Sequence, residues 1–239
     1  NTMGSFINDY AKLNQLSPGD EIKLDFGDLL VRYLERSRDV LIGNPYGDKE
    51  RHRLTDEELG VRGVAAYTRI LDRIEQIDLS AIPISPIDYI KSRLSQEGYS
   101  VNEVTGRKDV IDYATDGTST YQQRSSQETS KAAAIANVRA FNNGQLDVII
   151  LNRSGSTGIS LHASAQFADR RARHMIVVQP EKEINSFMQM LGRIHRTGQV
   201  VLPNFTLLNA DIPAEKRPAA VLAKKMASLN ANTTAARSS

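Results

Sequence analysis

The 239-residue sequence contains no cysteine. That absence excludes thiol catalysis, thiolate metal sites and disulfides, and it fits a reducing compartment without requiring one. No stretch approaches the ~18 apolar residues of a membrane span, and nothing after Asn1 has a signal-peptide pattern. An excess of one charge sign is also missing: 30 Lys and Arg face 28 Asp and Glu, a formal net charge of +2. Any anion-binding surface must therefore be local rather than global. There is no G-x-x-x-x-G-K-[ST] phosphate loop, and no apolar strand ends in an acidic metal box. No internal repeat is visible. The opening Asn-Thr-Met and the closing Arg-Ser-Ser read as cuts from a longer protein.

What is present suffices for a core, since a chain of this length buries roughly 70–75% of its unfolded surface. Residues 5–40 read as helical, with Phe6, Tyr10 and Leu13 in one stripe and Leu29, Leu30, Tyr33 and Leu34 in another. Gly43–Asp48 reads as a loop. Thr55-Asp56-Glu57-Glu58 is a capping box rather than an ATPase acidic box, because charged Lys49–Arg53 precedes it instead of an apolar strand. The helix it opens runs to Ile77, with Val64, Ile70, Leu71, Ile74 and Ile77 inward. From there short strands and helices alternate. Ala81–Ile84 is predicted as a strand, Ser85-Pro86 opens a helix ending at Gly98, and Ser100–Val104 is the next strand. Residues 109–124 read as a polar loop or insertion, and Ser125 with Glu128 as a second capping box. Leu146–Leu151 and His174–Val178 have the β-branched, apolar character of buried parallel strands. Phe205–Leu208 makes a last strand, and a terminal helix from Pro218 turns Leu222, Met226 and Leu229 inward. The alternation predicts an α/β fold with a mostly parallel sheet, and such sheets gather ligands at the carboxyl ends of their strands.

Two motifs sit at those ends. In Gln189–Gln199, helical spacing puts Ile184, Phe187, Met188 and Leu191 on one face. Gln189, Arg193 and Arg196 recur at i, i+4 and i+7 on the other, giving an amide and two guanidiniums in a row. Guanidinium forks match phosphate oxygens, although a solvated basic face has the same spacing. His195 falls on the apolar side and reads as a packed or interface histidine. The second motif, Asn152–Ser164, follows the Leu146–Leu151 strand, and its small residues let backbone N–H groups approach a phosphate; an ordinary turn has the same composition. Arg170–His174 could grip phosphates but reads better as a solvated loop.

The spelling Q-x-x-G-R-x-x-R with T-G-Q resembles the arginine-finger motif of superfamily 2 helicases, most closely the Swi/Snf-type ATPases. Arg153, Gly155, Gly158, Ile159 and Leu161 match the helicase pattern R-A-G-G-x-G-I-N-L-T-A-A, while Ser160 stands where those ATPases carry Asn or Asp. Arg173–Pro180, the G-R-I-H-R-T-G-Q run and Pro213–Thr234 look like the helicase C-terminal domain of the strawberry notch family, and Ile82–Asp88 and Val104–Arg107 resemble its upstream part.

The resemblance implies a three-layer RecA-like second lobe at residues 79–239, with 1–78 as a mainly helical N-terminal extension. Activity would be ATP-dependent translocation on DNA or RNA, and no membrane is involved. ATP and Mg2+ would be bound mainly by an upstream RecA-like lobe of the same polypeptide, so this chain alone would hydrolyse nothing. Arg193 and Arg196 would stabilise the transferring γ-phosphoryl. Gln189, Gly155, Gly158, Ser160 and Gly192 would face the nucleotide or the lobe interface, and Thr105, Gly106, Arg107, Arg153 and Thr157 the nucleic acid. No metal ligand is expected in this lobe. The short loops suggest a bacterial or phage member, hence cytoplasmic, whereas an animal member would be nuclear. The competing reading is a non-catalytic nucleic-acid, chromatin or protein interaction module that keeps the fold. An ordinary doubly wound enzyme would show a G-x-G-x-x-G turn or a catalytic constellation, and neither is visible.

Overall fold

A computed structural model describes residues 2–43, 47, 49–152, 158–180, 183–211, 215–217 and 219–224. Along the chain its elements are α1 (Thr2–Leu13), α2 (Phe26–Arg36), β1 (Asp39–Gly43), β2 (Lys49–Arg53), α3 (Asp56–Gln76), α4 (Pro86–Gln96), β3 (Val101–Val104), β4 (Asp109–Tyr113), β5 (Ser119–Gln123), α5 (Lys131–Asn142), β6 (Val148–Leu151), β7 (His174–Val177), α6 (Ile184–Leu191) and β8 (Asn204–Leu207). They gather into two compact units, Asn1–Glu97 with Arg107–Ser125, and Gly98–Gly106 with Ser126–Ser239. The units do not follow chain order: Gly98–Gly106 goes to the second, and Arg107–Ser125 returns to the first.

The reason lies in the first unit's core. Ile7 and Ala11 of α1 pack with Ile22, Ile84, Ile111 of β4 and Tyr121 of β5. Residues 109–124, expected as a polar loop, are therefore an antiparallel hairpin with Ile111 opposite Tyr121. Its turn needs the left-handed Gly117 (φ +88°), and only two large inward side chains signal the strands. Ala81–Ile84, expected as a strand, is not one. Pro83 lacks the N–H a ladder needs, and Ile84 is buried as a single plug, 1% exposed. Thr55 and Glu58 form the expected capping box for α3. The inward face expected of that helix is shallow, however: Val64, Leu71 and Ile74 are only half-buried, and Ile70 and Ile77 are exposed. Lys49–Arg53, expected as a charged approach to that cap, pairs with β1 as a two-stranded ribbon.

The second unit carries the parallel strands. β3 pairs with β6 from Val101↔Val148 to Val104↔Leu151, and β7 with β8 from His174↔Asn204 to Val177↔Leu207. Each parallel pair is joined through a helix, α5 or α6, as parallel pairing requires. Val177, Phe187, Leu191 and Leu222 form the core between β7, α6 and the terminal helical stretch. Met226 and Leu229, also expected inward, lie outside the described residues. α5 starts at Lys131 with Ser130 as cap rather than at Ser125, because the run of strong helix formers begins only there. Gly144 (φ +76°) follows its end.

The largest departure concerns the arginine helix. α6 stops at Leu191, with Gly192 as its C-cap. Beyond it the Arg193 and Ile194 N–H groups bond three residues back, to the Met190 and Leu191 carbonyls, in a tighter turn. Gln189, Arg193 and Arg196 therefore do not share one helical face, since glycine weakens the helix where the row should continue. His195 is exposed, not packed.

Candidate functional site

The site lies in the second unit, along the extended residues 158–164. Gly158 enters it with φ +78° in open space, so backbone conformation rather than crowding favours glycine there. Leu161 and Ala163 then point inward, 2% and 1% exposed, as alternation dictates. Ser160 and His162 fall on the other side, with Ser160 Oγ 2.8 Å from His162 Nδ1. Gln199, opposite Ser164 in an isolated bridge, and the Val200 N–H, which donates to the Ala163 carbonyl at 2.8 Å, tie down the far end.

Three successive carbonyls of this segment are held by side chains instead of a neighbouring strand. Ile159 O accepts from both Arg193 Nη1 and Arg196 Nη2, each at 3.3 Å. Ser160 O accepts from Asn142 Nδ2 at 3.0 Å, and Leu161 O from Arg173 Nε at 3.1 Å. The Leu161 N–H in turn donates to the Arg193 carbonyl at 2.9 Å. Arg193 and Arg196, separated from the helix that was expected to align them, are thus reunited on one carbonyl oxygen.

Their electrostatics are unbalanced. Arg196 also donates from Nε to the Gly192 carbonyl at 3.1 Å. Arg193 is half-buried, and among the described residues its buried Nε has no partner. Among the described residues neither guanidinium has a carboxylate partner. Burial, then the charge of Arg196, pulls the Arg193 pKa below its ordinary value. Burial, then Arg196 and Arg173, depresses His162 too, which favours neutral imidazole beside the two cations. The geometry can accept an anion with hydrogen-bond acceptors on its periphery, which would offset the repulsion and satisfy the idle donor.

The other expected site residues fall as follows. Gln189 is exposed on α6. Gly192 caps that helix, its N–H donating to the Met188 carbonyl at 2.9 Å. Arg153, Gly155 and Thr157 lie outside the described residues. Thr105 is buried and donates to the Glu103 carboxylate at 2.5 Å; a Cβ on Gly106 would meet nothing within 4 Å. Arg107 belongs to the first unit, and its fork is turned inward. Nη1 and Nη2 donate to the two Asp88 oxygens at 2.7 and 2.5 Å, and the residue is 9% exposed. That guanidinium is thus held by a buried carboxylate of the first unit.

Sequence reasoning missed Asn142, which reads as a helix stop, and Arg173, which reads as part of a solvated basic loop. The signal for Arg173 is its place immediately before an apolar strand, at the buried end of the run. Among the described residues no three His, Cys, Asp or Glu cluster so as to hold a metal ion, and no helix is long and apolar enough to cross a membrane.

Residues 85–239 match the family model described as the C-terminal domain on strawberry notch homologues. Among curated proteins, rat protein strawberry notch homolog 1 is 28% identical over 193 residues, which is 80% of this chain and 15% of that protein. Drosophila protein strawberry notch is 28% identical over 221 residues, 92% of this chain and 13% of its own length. Arabidopsis protein FORGETTER 1 is 30% identical over 186 residues, 77% of this chain and 14% of its own. The chain thus spans 13–15% of the length of these relatives.

Proposed function

Since the chain belongs to the helicase C-terminal domain family of strawberry notch proteins, we propose that it is the trailing motor lobe of an ATP-dependent nucleic-acid helicase or translocase. Arg193 and Arg196 are the arginine fingers of an ATP site whose phosphate cradle lies upstream in the same polypeptide. The observation that carries this reading is the pair itself: two guanidiniums on the Ile159 carbonyl, no carboxylate partner among the described residues, and a buried Arg193 Nε with nothing to bond.

Such a pair fits the terminal phosphate of ATP, whose equatorial oxygens accept in-plane forks while negative charge spreads over them. Magnesium, held upstream, supplies charge neutralisation on the phosphates. Arg193 contributes a fork that is already half desolvated, so little solvent reorganisation remains when charge develops. Ser160 and Gly158 border the same segment and face the nucleotide or the lobe interface. Gln189, exposed on the preceding helix, couples the site to the nucleic-acid track, which Thr105, Gly106, Arg153 and Thr157 help to form.

The test is Arg193→Lys in the complete protein. Lysine keeps the charge and loses the fork, so kcat for nucleic-acid-stimulated ATP hydrolysis should fall on the order of a thousand-fold. The KM for ATP should stay nearly unchanged, as for an interaction made only in the transition state. Turnover within about twofold of the wild type, with nucleic-acid binding lost instead, would assign this arginine to the track and leave the lobe without its finger.

A further inference from the structure

One buried cation of the second unit has no place in that reading. Arg173 stands at the entrance to β7, 4% exposed. Its guanidinium lies over the Phe141 ring, 5.1 Å from the centroid. Nε donates to the Leu161 carbonyl at 3.1 Å, Nη2 to the Asp169 carbonyl at 3.0 Å and Nη1 to the Arg171 carbonyl at 3.3 Å. Nη1 also stands 3.3 Å from an Asp169 carboxylate oxygen. Packing against Phe141 alone would be served by an apolar side chain, without the cost of desolvating a charge. The donors must be there for what they hold.

Nη1 and Nη2 tie Arg173 to its own loop, at Arg171 and Asp169, and Nε reaches across to Leu161, which is gripped on both sides of its residue. Its carbonyl is tied to Arg173, its N–H to the Arg193 carbonyl, and its side chain is buried at 2% exposure. Two residues earlier, the Ile159 carbonyl receives both arginine forks. A displacement of Leu161 therefore moves the backbone tie of Arg193 and the oxygen on which Arg193 and Arg196 converge. No strand ladder holds these carbonyls, so the side-chain donors fix the segment in its place.

We propose that Arg173 is a positioning residue for the arginine pair, fixing through Leu161 the direction in which the Arg193 and Arg196 guanidiniums point. This rests on the reading that the pair meets the terminal phosphate of ATP. Lysine cannot replace Arg173, because its donors sit on one nitrogen and cannot span three separated carbonyls in one plane, nor stack on Phe141 as a planar fork does.

The test is a double-mutant cycle in the complete protein, with steady-state and single-turnover ATP hydrolysis on saturating nucleic acid. Arg173→Lys should lower kcat by roughly ten- to a hundredfold, as a misplacement of about 1 Å does, with the KM for ATP within about twofold. In an Arg193→Lys background the same substitution should bring little further loss, because the group it positions is already gone. Phe141→Leu removes the ring and keeps apolar bulk; it should give a smaller loss, again in kcat and not in KM, and it serves if Arg173→Lys fails to fold. Losses that multiply across the cycle, a loss confined to thermal stability, or Phe141→Leu and Arg173→Lys enzymes with unaltered kcat would overturn the positioning role. An unaltered kcat in Arg193→Lys alone would instead overturn the phosphate reading, and the positioning role with it.

Discussion

Arg107 of the first unit and Arg193 of the second dispose of their charge in opposite ways. In the first, Arg107 is matched to Asp88 by a two-pronged ion pair, and the same carboxylate also accepts the Ser85 hydroxyl and the Ile111 N–H. In the second, Arg193 is half-buried beside a second cation, with one donor idle. The bulk charge follows the same division. By sequence, the first unit has 16 Lys and Arg against 20 Asp and Glu, net −4; the second has 14 against 8, net +6. A nearly neutral chain thus conceals an acidic unit and a basic one; Arg38 of the acidic unit also has an idle Nε but is paired with Asp56, whereas Arg193 of the basic unit has an idle Nε and, among the described residues, no carboxylate partner. An arginine saturated by a buried carboxylate has no capacity for a ligand. One that is desolvated without such a partner does.

The sharpest way to break this comparison is to remove one member from each unit. Asp88→Ala leaves the Arg107 cation buried without its carboxylate, and should cost about 3–5 kcal/mol of stability. Arg193→Met removes a charge with no internal ion pair, and should cost about 1 kcal/mol or less. Urea denaturation of both variants decides the matter, and equal costs would erase the distinction between a saturated arginine and a spare one.

A smaller effect separates the surfaces. Nucleic-acid binding should be weak, independent of sequence and steeply weakened by salt. Removing exposed Arg139 and Arg170 of the second unit together should lower the salt slope by about one for each phosphate that is no longer neutralised. Removing Arg69 and Arg73, exposed on α3 of the first unit, should leave it unchanged. Affinity measured from low to high salt checks this, and an equal fall in slope for both pairs would mean that the acidic unit shares the track.

The smallest effect concerns His162. Its folded pKa lies below the ordinary histidine value of 6.5, because of burial first and the neighbouring Arg196 and Arg173 second. Below pH 6.5 the unfolded chain takes up a proton that the folded site resists, so stability falls with pH until the folded group titrates too. His162→Gln should flatten this part of the acid limb of a denaturation profile between pH 7 and 5. An unchanged limb would place the acid sensitivity elsewhere.

Much of this was legible in the sequence, for reasons that can be named. Thr55 to Glu58 announced a helix start because a capping box is local chemistry, and Leu146–Leu151 announced a parallel strand because Val148–Leu151 is an unbroken apolar, mostly β-branched run, although its residues are only half-buried. The arginine pair was legible as residues but not as geometry: the helical spacing of Arg193 and Arg196 runs through Gly192, where the helix ends. Arg173 and Arg107 mislead in a related manner. A basic residue is mostly solvated, and only tertiary partners, Phe141 with Leu161 in one case and Asp88 in the other, reveal that these two are not. The hairpin of residues 109–124 was hidden because two inward side chains give too short a period.

That hairpin has a consequence for synthesis. Ile7 and Ala11 leave the ribosome about a hundred residues before Ile111 and Tyr121, which close their core, and residues 119–121 also hydrogen-bond to residues 19–22. At roughly 5–20 residues per second, the first helix waits about 5–20 s for its partners. Meanwhile β3, made before the hairpin, meets β6 only after the hairpin has been made. The two units are therefore interleaved in time as well as in sequence. A piece cut at residue 85, where the family match begins, would keep Ile111 and Tyr121 but discard the helix they cover.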